Sequence, residues 1–175
     1  MSQAPVETAK PVTASAVHGN VYKVFPNDLN QHGTVFGGLI MAEMDRVAAV
    51  VAERHSDAVC VTVGVDAVHF MKPARRGDTL VFSAAVNRTW KTSMEIGCRV
   101  EAESMGSCER RHILSAYLTF IALDEQGRPR PVPEVEPQSA AEHQRYKEAD
   151  FRRQYRLREA EDLRQMRRAD TPAEG

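Results

Sequence analysis

The chain has 175 residues, of which 42% are hydrophobic and 27% are charged, so it can form one ordinary soluble domain with some chain left over for tails. Its 23 Lys and Arg residues balance 24 Asp and Glu residues, and this near-neutrality excludes a globally basic nucleic-acid-binding protein. No apolar run approaches the ~18 residues of a membrane span, and no secretory signal opens the chain, so we expect a cytoplasmic protein without a membrane partner.

In chain order, residues 1–20 are small, polar and without pattern, and we predict a flexible N-terminal segment. Residues 21–25 could form a short strand, and residues 26–35 are rich in Asn, Asp and Gly, which is typical of a loop. Residues 39–52 contain no Gly or Pro and consist mostly of good helix formers. Because this helix is apolar nearly all round, we expect other structure to enclose it.

Four strand-like segments follow, at residues 59–71, 79–90, 93–103 and 111–123. The first changes its alternation after Ala67, which suggests a bulge near Asp66. The last is apolar on both faces, which favours a central position in the sheet. We therefore predict an α+β domain over residues 21–133, in which a curved antiparallel sheet, a meander of four strands with a short fifth strand before the helix, wraps one long helix.

Residues 134–175 form a separate, charged tail. Prolines between residues 129 and 137 predict a stiff exit from the domain. The segment 139–168 has only a broken apolar stripe, which indicates a solvated surface helix or one that docks on a neighbouring subunit. A nucleic-acid arm is less favoured because acidic residues are interleaved with the basic ones, and we expect disorder toward Gly175.

The cysteines predict no special chemistry. Cys60, Cys98 and Cys108 are odd in number and no two have C-x-x-C spacing, which argues against a disulfide framework and a zinc site. We interpret them as reduced thiols that pack as small apolar side chains, and we predict no metal site.

Asp45 does not fit the apolar helix around it. Arg46 is adjacent in sequence but points about 100° away on a helix, so it is a poor partner. A carboxylate on a buried helix face is costly unless something pairs with it, so Asp45 either serves a function or faces a groove or a strand residue. Its helical neighbours are all apolar: Met41, Ala42, Ala48 and Ala49.

Gly37 and Gly38 open the same helix. Glycine lets a ligand approach the backbone, and the first-turn N–H groups are unpaired donors that could polarise a carbonyl. A tight loop-to-helix turn would explain the pair equally well. In the preceding loop, Asn30 and His32 could each hold a water or a carbonyl, or simply cap the loop.

The spacing of these two features has a geometric consequence. Asp45 lies eight residues after Gly37, which is ~12 Å along a helix. One helix cannot easily bring both groups to one carbonyl, whereas two antiparallel helices in a twofold dimer can. If both are catalytic, the site should lie between two copies of the chain.

The ordered pattern N-x-x-G-x-x-F-G-G-x(6)-D, formed by Asn30, Gly33, Phe36, Gly37, Gly38 and Asp45, is followed by VTVGVDAVHFMKPARRGD. Over residues 21–133 the chain resembles the hotdog-fold acyl-CoA thioesterases, and it is most similar to their bacterial acyl-CoA hydrolase branch. The resemblance implies hydrolysis of acyl-CoA without a cofactor. It also implies a homodimer joined sheet edge to sheet edge, often in a trimer of dimers.

The resemblance also implies roles for individual residues. Asp45 would be the general base or the nucleophile, the N–H groups at Gly38 and Gly37 would polarise the thioester carbonyl, and Asn30 would position water or substrate. The phosphates of CoA need basic and polar groups, although each candidate could equally be an ordinary turn residue. The candidates lie in two turns: Lys72, Arg75 and Arg76 in one, and Arg88, Lys91, Thr92 and Ser93 in the next.

Alternatives remain open from the sequence. A non-catalytic acyl-CoA-binding or sensing module on the same fold would have no need for an acid at position 45. A hydratase on this fold usually pairs a His with an acid in the helix region, and residues 39–52 contain no His. The acyl chain length and the choice between general-base and covalent catalysis are not predicted.

Overall fold

The computed structural model describes residues 9–107 and 109–169, so Cys108 and the predicted disorder toward Gly175 fall outside it. Helix α1 spans Gly37–Ser56 and helix α2 spans Ala140–Ala169. Short 3-10 turns lie at Val12–Ala14 and Pro26–Asp28. The strands are β1 (Ala9–Pro11), β2 (Val17–Lys23), β3 (Cys60–Val65), β4 (Thr79–Thr89), β5 (Ser93–Glu103), β6 (Arg110–Ala122) and β7 (Glu134–Glu136).

Five strands form an antiparallel sheet in the order β2-β4-β5-β6-β3, and α1 packs on one face of it. Ile40, Met44 and Val51 of α1 meet inward side chains of the sheet such as Phe82 and Phe120, all at most 2% exposed. Each large apolar side chain buried in this way contributes about 1.5–3 kcal/mol before conformational entropy is counted. The predicted α+β class, with one long helix and a C-terminal helical tail, is confirmed.

The strand order differs from the predicted meander. β3 pairs with β6 at the far edge, because β2 occupies the free side of β4. β6 is therefore interior, as its two apolar faces indicated, although β5 lies in the middle. The predicted strand 59–71 ends at Val65, and its irregularity lies between Thr62 and Gly64 rather than near Asp66. Beyond Val65 the chain still follows β6 through the Asp66 N–H, 3.0 Å from the Tyr117 carbonyl.

Residues 9–20 are ordered, in contrast to the predicted flexible segment. β1 pairs in parallel with β7, which places part of the proline-rich exit beside the N-terminal segment. Val12 is buried in the core, and the Lys10 ammonium pairs with the Asp57 carboxylate at the end of α1. The sequence pattern missed this layer because a three-residue strand is too short to show a period.

Helix α1 is not fully enclosed within one chain, contrary to the expectation from its composition. Met41 is 42% exposed and Val50 is 40% exposed. The neighbouring edge strand is also apolar outward, with Val61, Val63 and Val65 exposed. Met41 lies on the β3 side of α1 together with these valines, whereas Val50 lies on the β2 side, beside Val17 and Asn20.

Helix α2 docks on its own sheet, on the face opposite α1. The fully buried carboxylate of Glu95 on β5 accepts from Arg152 at 2.7 Å and from Arg156 at 3.1 Å. Arg156 also donates to Asp66 at 2.7 Å, and Arg153 stacks on Trp90. The first half of α2 is thus held by its own sheet, whereas residues 157–168 are exposed.

The two described cysteines, Cys60 and Cys98, are free thiols, as predicted. Burial raises the pKa of Cys98 to about 12, so this thiol stays protonated and unreactive near neutral pH. Across residues 9–107 and 109–169, no helix has both the length and the apolar character needed to cross a membrane.

Candidate active site

The start of α1 presents unpaired donors. Phe36 is the N-cap residue, and its side chain makes no capping bond. The Leu39 N–H bonds to the Phe36 carbonyl at 3.0 Å, but the N–H groups of Gly37 and Gly38 have no acceptor in the described part of the chain. These amides are at the positive end of the helix dipole and can stabilise an oxyanion.

The two glycines allow aromatic rings to pack closely at this helix start. A Cβ on Gly37 would lie 3.2 Å from the Phe70 ring, and one on Gly38 would lie 2.4 Å from the Phe36 ring. Beside them is a cavity of about 250 Å³, lined in part by Gly37, Phe70 and Lys72. Both interpretations of the glycine pair are therefore compatible with the structure, since the rings pack closely and Gly37 lines an open cavity.

Asn30 organises the loop before the helix. Its Oδ1 accepts from the His32 N–H at 2.9 Å, and its Nδ2 donates to the Thr34 hydroxyl at 2.9 Å. These are the loop-capping contacts that the sequence left as an alternative. Asp28, which sequence reasoning missed, also fixes the loop, because its carbonyl accepts from the Phe36 N–H at 2.9 Å.

Asp45 faces the edge strand. Its half-buried carboxylate accepts a hydrogen bond from the Thr62 hydroxyl of β3, with 2.7 Å between Oγ1 and Oδ1. Arg46 pairs instead with Glu43, as the helical geometry indicated. Sequence reasoning missed Thr62, and the available signal was a lone hydroxyl residue alternating with valines in CVTVGV.

One chain does not unite the carboxylate with the helix start. Asp45 and Thr62 do not line the cavity beside Gly37, which agrees with the ~12 Å separation expected along α1. The carboxylate lies instead on the β3 side of α1, one helical turn after the exposed Met41.

The first predicted basic turn lies near the helix start. Lys72 lines the cavity beside Gly37 and also a larger one of about 560 Å³, which Arg75 and Arg76 share. All three are exposed, and none of them forms an ion pair within the described residues. Arg111, which was not predicted, joins this group and pairs with the buried Asp78. The result is a cationic groove that continues from the helix start.

The second predicted basic turn lies at the other end of β4, roughly 35 Å away for an eleven-residue strand. Arg88 pairs with Asp150 of α2 at 3.3 Å. Ser93 accepts weakly from Arg153, while the Lys91 and Thr92 carbonyls accept from Val132 and Ala122. The structure does not bring this turn to the start of α1, and its role in CoA binding stays a prediction.

Within residues 9–107 and 109–169, no three His, Cys, Asp or Glu side chains gather as potential metal ligands. The arrangement supplies a carboxylate with one fixed oxygen, a pair of free amides and a basic groove. Such groups can accept a proton from water, polarise a carbonyl and bind phosphates.

Comparison with known proteins points the same way. The Thioesterase superfamily matches residues 32–109. An uncharacterised acyl-CoA thioester hydrolase of Bacillus subtilis, YkhA, is 38% identical over 69% of this chain and 70% of its own length. Mouse acyl-coenzyme A thioesterase 11 is 40% identical over 79% of this chain, but the match spans only 23% of that longer protein.

Solved structures extend the likeness to nearly the whole chain. An apo-hexameric acyl-CoA thioesterase has a TM-score of 0.85 and 37% identity, covering 88% of this chain and 98% of its own. An acyl-CoA hydrolase of Staphylococcus aureus, in complex with butyryl-CoA and CoA, has a TM-score of 0.83 and 34% identity, covering 93% and 99%.

That enzyme was also solved with an asparagine, an aspartate and a threonine each changed to alanine. The sequence separations between its three residues equal those between Asn30, Asp45 and Thr62.

Proposed function

The chain belongs to the thioesterase superfamily, in its acyl-CoA hydrolase branch, and from this premise we propose that it hydrolyses acyl-CoA thioesters to a free acid and CoA. The observation that carries this proposal is the half-buried Asp45 carboxylate, fixed by Thr62 at the exposed edge of the sheet. A binding module would need no such acid there.

In the proposed reaction, the Thr62 hydroxyl occupies Oδ1 of Asp45, and no described residue donates to Oδ2. Oδ2 is thus free to accept a proton from a water molecule as the water oxygen attacks the thioester carbonyl. Negative charge then develops on the carbonyl oxygen, where the amides of Gly37 and Gly38 stabilise it. Collapse of this intermediate breaks the C–S bond, and the proton held by Asp45 passes to the CoA thiolate.

A covalent route uses the same groups. Asp45 Oδ2 would attack the carbonyl, expel the CoA thiolate and form an acyl anhydride, which water then cleaves. In a single turnover in ¹⁸O-water, label in Asp45 supports the covalent route, because direct attack exchanges no oxygen of Asp45. An anhydride that water opens at the acyl carbon leaves Asp45 unlabelled, so trapping of the acyl-enzyme with hydroxylamine distinguishes that case from direct attack.

The proposed site needs two chains. Exposed Met41 and the exposed valines of β3 lie on the same side of the protomer as Asp45, and β3 is an open sheet edge. A twofold dimer joined along β3 would cover this region and bring Asp45 of one protomer toward the helix start of its partner. We further propose that three such dimers assemble, since a related structure is hexameric.

Complementation tests the shared site directly. Asp45→Asn and Gly37→Val each remove one half of it and should be inactive alone. Co-expressed, they form heterodimers with one intact site, so activity should recover to about a quarter of wild type. Recovery supports a site between chains, whereas no recovery in folded heterodimers would place the whole site within one chain.

The activity itself is tested by thiol release from a series of acyl-CoAs of increasing length. Turnover that disappears in Asp45→Asn supports the enzyme, whereas tight acyl-CoA binding without turnover supports a sensing module. We also propose that CoA phosphates bind the groove of Lys72, Arg75, Arg76 and Arg111. A cytoplasmic location is proposed because relatives include the cytosolic acyl coenzyme A thioester hydrolases.

A further inference from the structure

The outer face of the sheet contains a cavity that the proposed reaction does not use. Its volume is about 280 Å³, at the small end of the range for ligand sites. Strands β2, β4, β5 and β6 form its floor, and Arg145 of α2 lies at its side. It is separated from Asp45 and from the start of α1 by the full thickness of the sheet.

A β-bulge places a buried amide in this cavity. The register of β4 with β5 shifts between Val86 and Arg88, so Asn87 is the extra residue. Bulges redirect side chains and are frequent beside functional sites. Asn87 is only 3% exposed, and it rests over Gly97, where a Cβ would lie 2.6 Å from its Nδ2. Gly97 therefore makes room for the amide.

The orientation of that amide is fixed. Nδ2 donates to the buried Glu95 carboxylate at 3.1 Å, and the opposite orientation would set two oxygens against each other. The acceptor Oδ1 must then be the free atom, and it has no hydrogen-bond partner. A buried acceptor without a donor is costly, so a bound group that donates to Oδ1 would gain a hydrogen bond that the protein alone leaves unmade.

The rest of the lining is cationic and hydroxylic. Arg145 forms no ion pair within the described residues, and Arg99 pairs with the Glu101 carboxylate at 2.9 Å. His18, Ser115 and Tyr117 add further polar groups, and no carboxylate lines the cavity among the described residues. Two guanidinium groups around one small cavity suit a phosphate group, which accepts several N–H bonds at once.

We propose that this cavity binds a small phosphorylated metabolite that also carries a hydroxyl or amino donor. The phosphate contacts Arg145 and Arg99, and the donor bonds to Asn87 Oδ1. Because Asn87 also bonds to Glu95, which anchors Arg152 and Arg156, the occupant would contact the same network that holds α2 to the sheet.

Calorimetric titration of the full chain with glycerol 3-phosphate tests the site, because this probe carries both a phosphate and hydroxyl donors. Saturable binding is expected, and sulfate, which has the charge without a donor, should bind at least tenfold more weakly. Arg145→Gln should weaken binding at least tenfold, and Ser115→Phe, which introduces a large side chain at the cavity lining, should abolish it.

Arg158→Gln, another exposed arginine of α2 away from the cavity, is the matched control and should bind as the wild type does. Acyl-CoA hydrolysis by Ser115→Phe should be unchanged, which separates this site from the active site. Absence of saturable binding to the wild type, or unchanged affinity in either Arg145→Gln or Ser115→Phe, would overturn the proposal and leave a solvent-filled cavity.

Discussion

The carboxylates on the two faces of the sheet differ in how many hydrogen-bond donors they have. On the inner face, the carboxylate of Asp45 has one partner, and the amides at the start of α1 have none. On the outer face, the Glu95 carboxylate is fully buried and accepts from Arg152, Arg156 and Asn87. Satisfied charges hold the tail in place, whereas unsatisfied ones remain available for a substrate.

The effect of a substitution, on turnover or on stability, should depend on which kind of group it removes. Removing a group that has free hydrogen-bonding capacity for a substrate should lower turnover with little effect on folding, because the folded chain makes few bonds to it. Removing a group inside a closed network should lower stability, because its partners are left buried and unpaired. Four experiments test this distinction.

The largest expected effect is on turnover. Asp45→Asn should lower kcat at least a hundredfold, about 3 kcal/mol or more, on short and long acyl-CoAs alike, with unchanged thermal unfolding. Glu43→Gln is the matched control, since it removes a carboxylate from the same helix that pairs only with exposed Arg46. Turnover within threefold of wild type in Asp45→Asn would contradict the assignment.

A loss of stability of similar size is expected on the outer face. Glu95→Ala leaves two arginines without their buried partner, and unfolding free energy should fall by roughly 3 kcal/mol, since the arginines can partly rehydrate. Glu101→Ala removes an exposed pair on the same strand and should cost less than about 1 kcal/mol. Urea unfolding measures both variants, and equal losses of unfolding free energy would contradict a larger structural role for Glu95.

A smaller effect on turnover is expected from Thr62→Val, which keeps the shape of the side chain and removes its donor. Loss of one hydrogen bond to a carboxylate should raise the barrier by about 1.5–3 kcal/mol, or roughly ten- to a hundredfold in kcat. In an Asp45→Asn background the same change should have little further effect. Additive losses in this double-mutant cycle would show that Thr62 does not act through Asp45.

The smallest effect is a pH dependence of folding. Burial lowers the pKa of His55 below its usual 6.5, although its bond to the Pro133 carbonyl opposes the shift. The unfolded chain then binds more protons below pH 6.5, so stability is full above that pH and falls as the pH decreases, by at most about 1.4 kcal/mol per unit.

Urea midpoints at pH 7.5 and 5.5 measure this effect. His55→Gln should flatten the pH dependence of the midpoint, whereas His32→Gln, at an exposed loop position, should keep it. An unchanged slope in His55→Gln would assign the pH dependence to other groups.

Much of the fold followed from the sequence because its signals are local. Period-two alternation set β4 and β5 to within a residue, and the apolar run placed α1. The pairing of β3 with β6 did not follow, because alternation reports which face a residue takes and not which strand lies beside it.

Only some residues of the candidate site could be predicted from local sequence signals. Asp45, Gly37 and Gly38 stand out because each breaks a local pattern, whereas Thr62 and Arg111 look ordinary along the chain. Thr62 becomes significant only when β3 lies against α1, and Arg111 only when β6 begins beside the turn that carries Lys72.

The sequence alone determined an apolar helix that begins with two glycines and contains one acid, and the family that this pattern resembles. Tertiary structure alone decided which hydroxyl holds that acid, which face α2 covers, and that β3 stays open at the edge. The reason is physical: backbone propensity and side-chain period act over a few residues, whereas the hydrogen bonds of Asp45 and Glu95 join residues that are far apart in the chain.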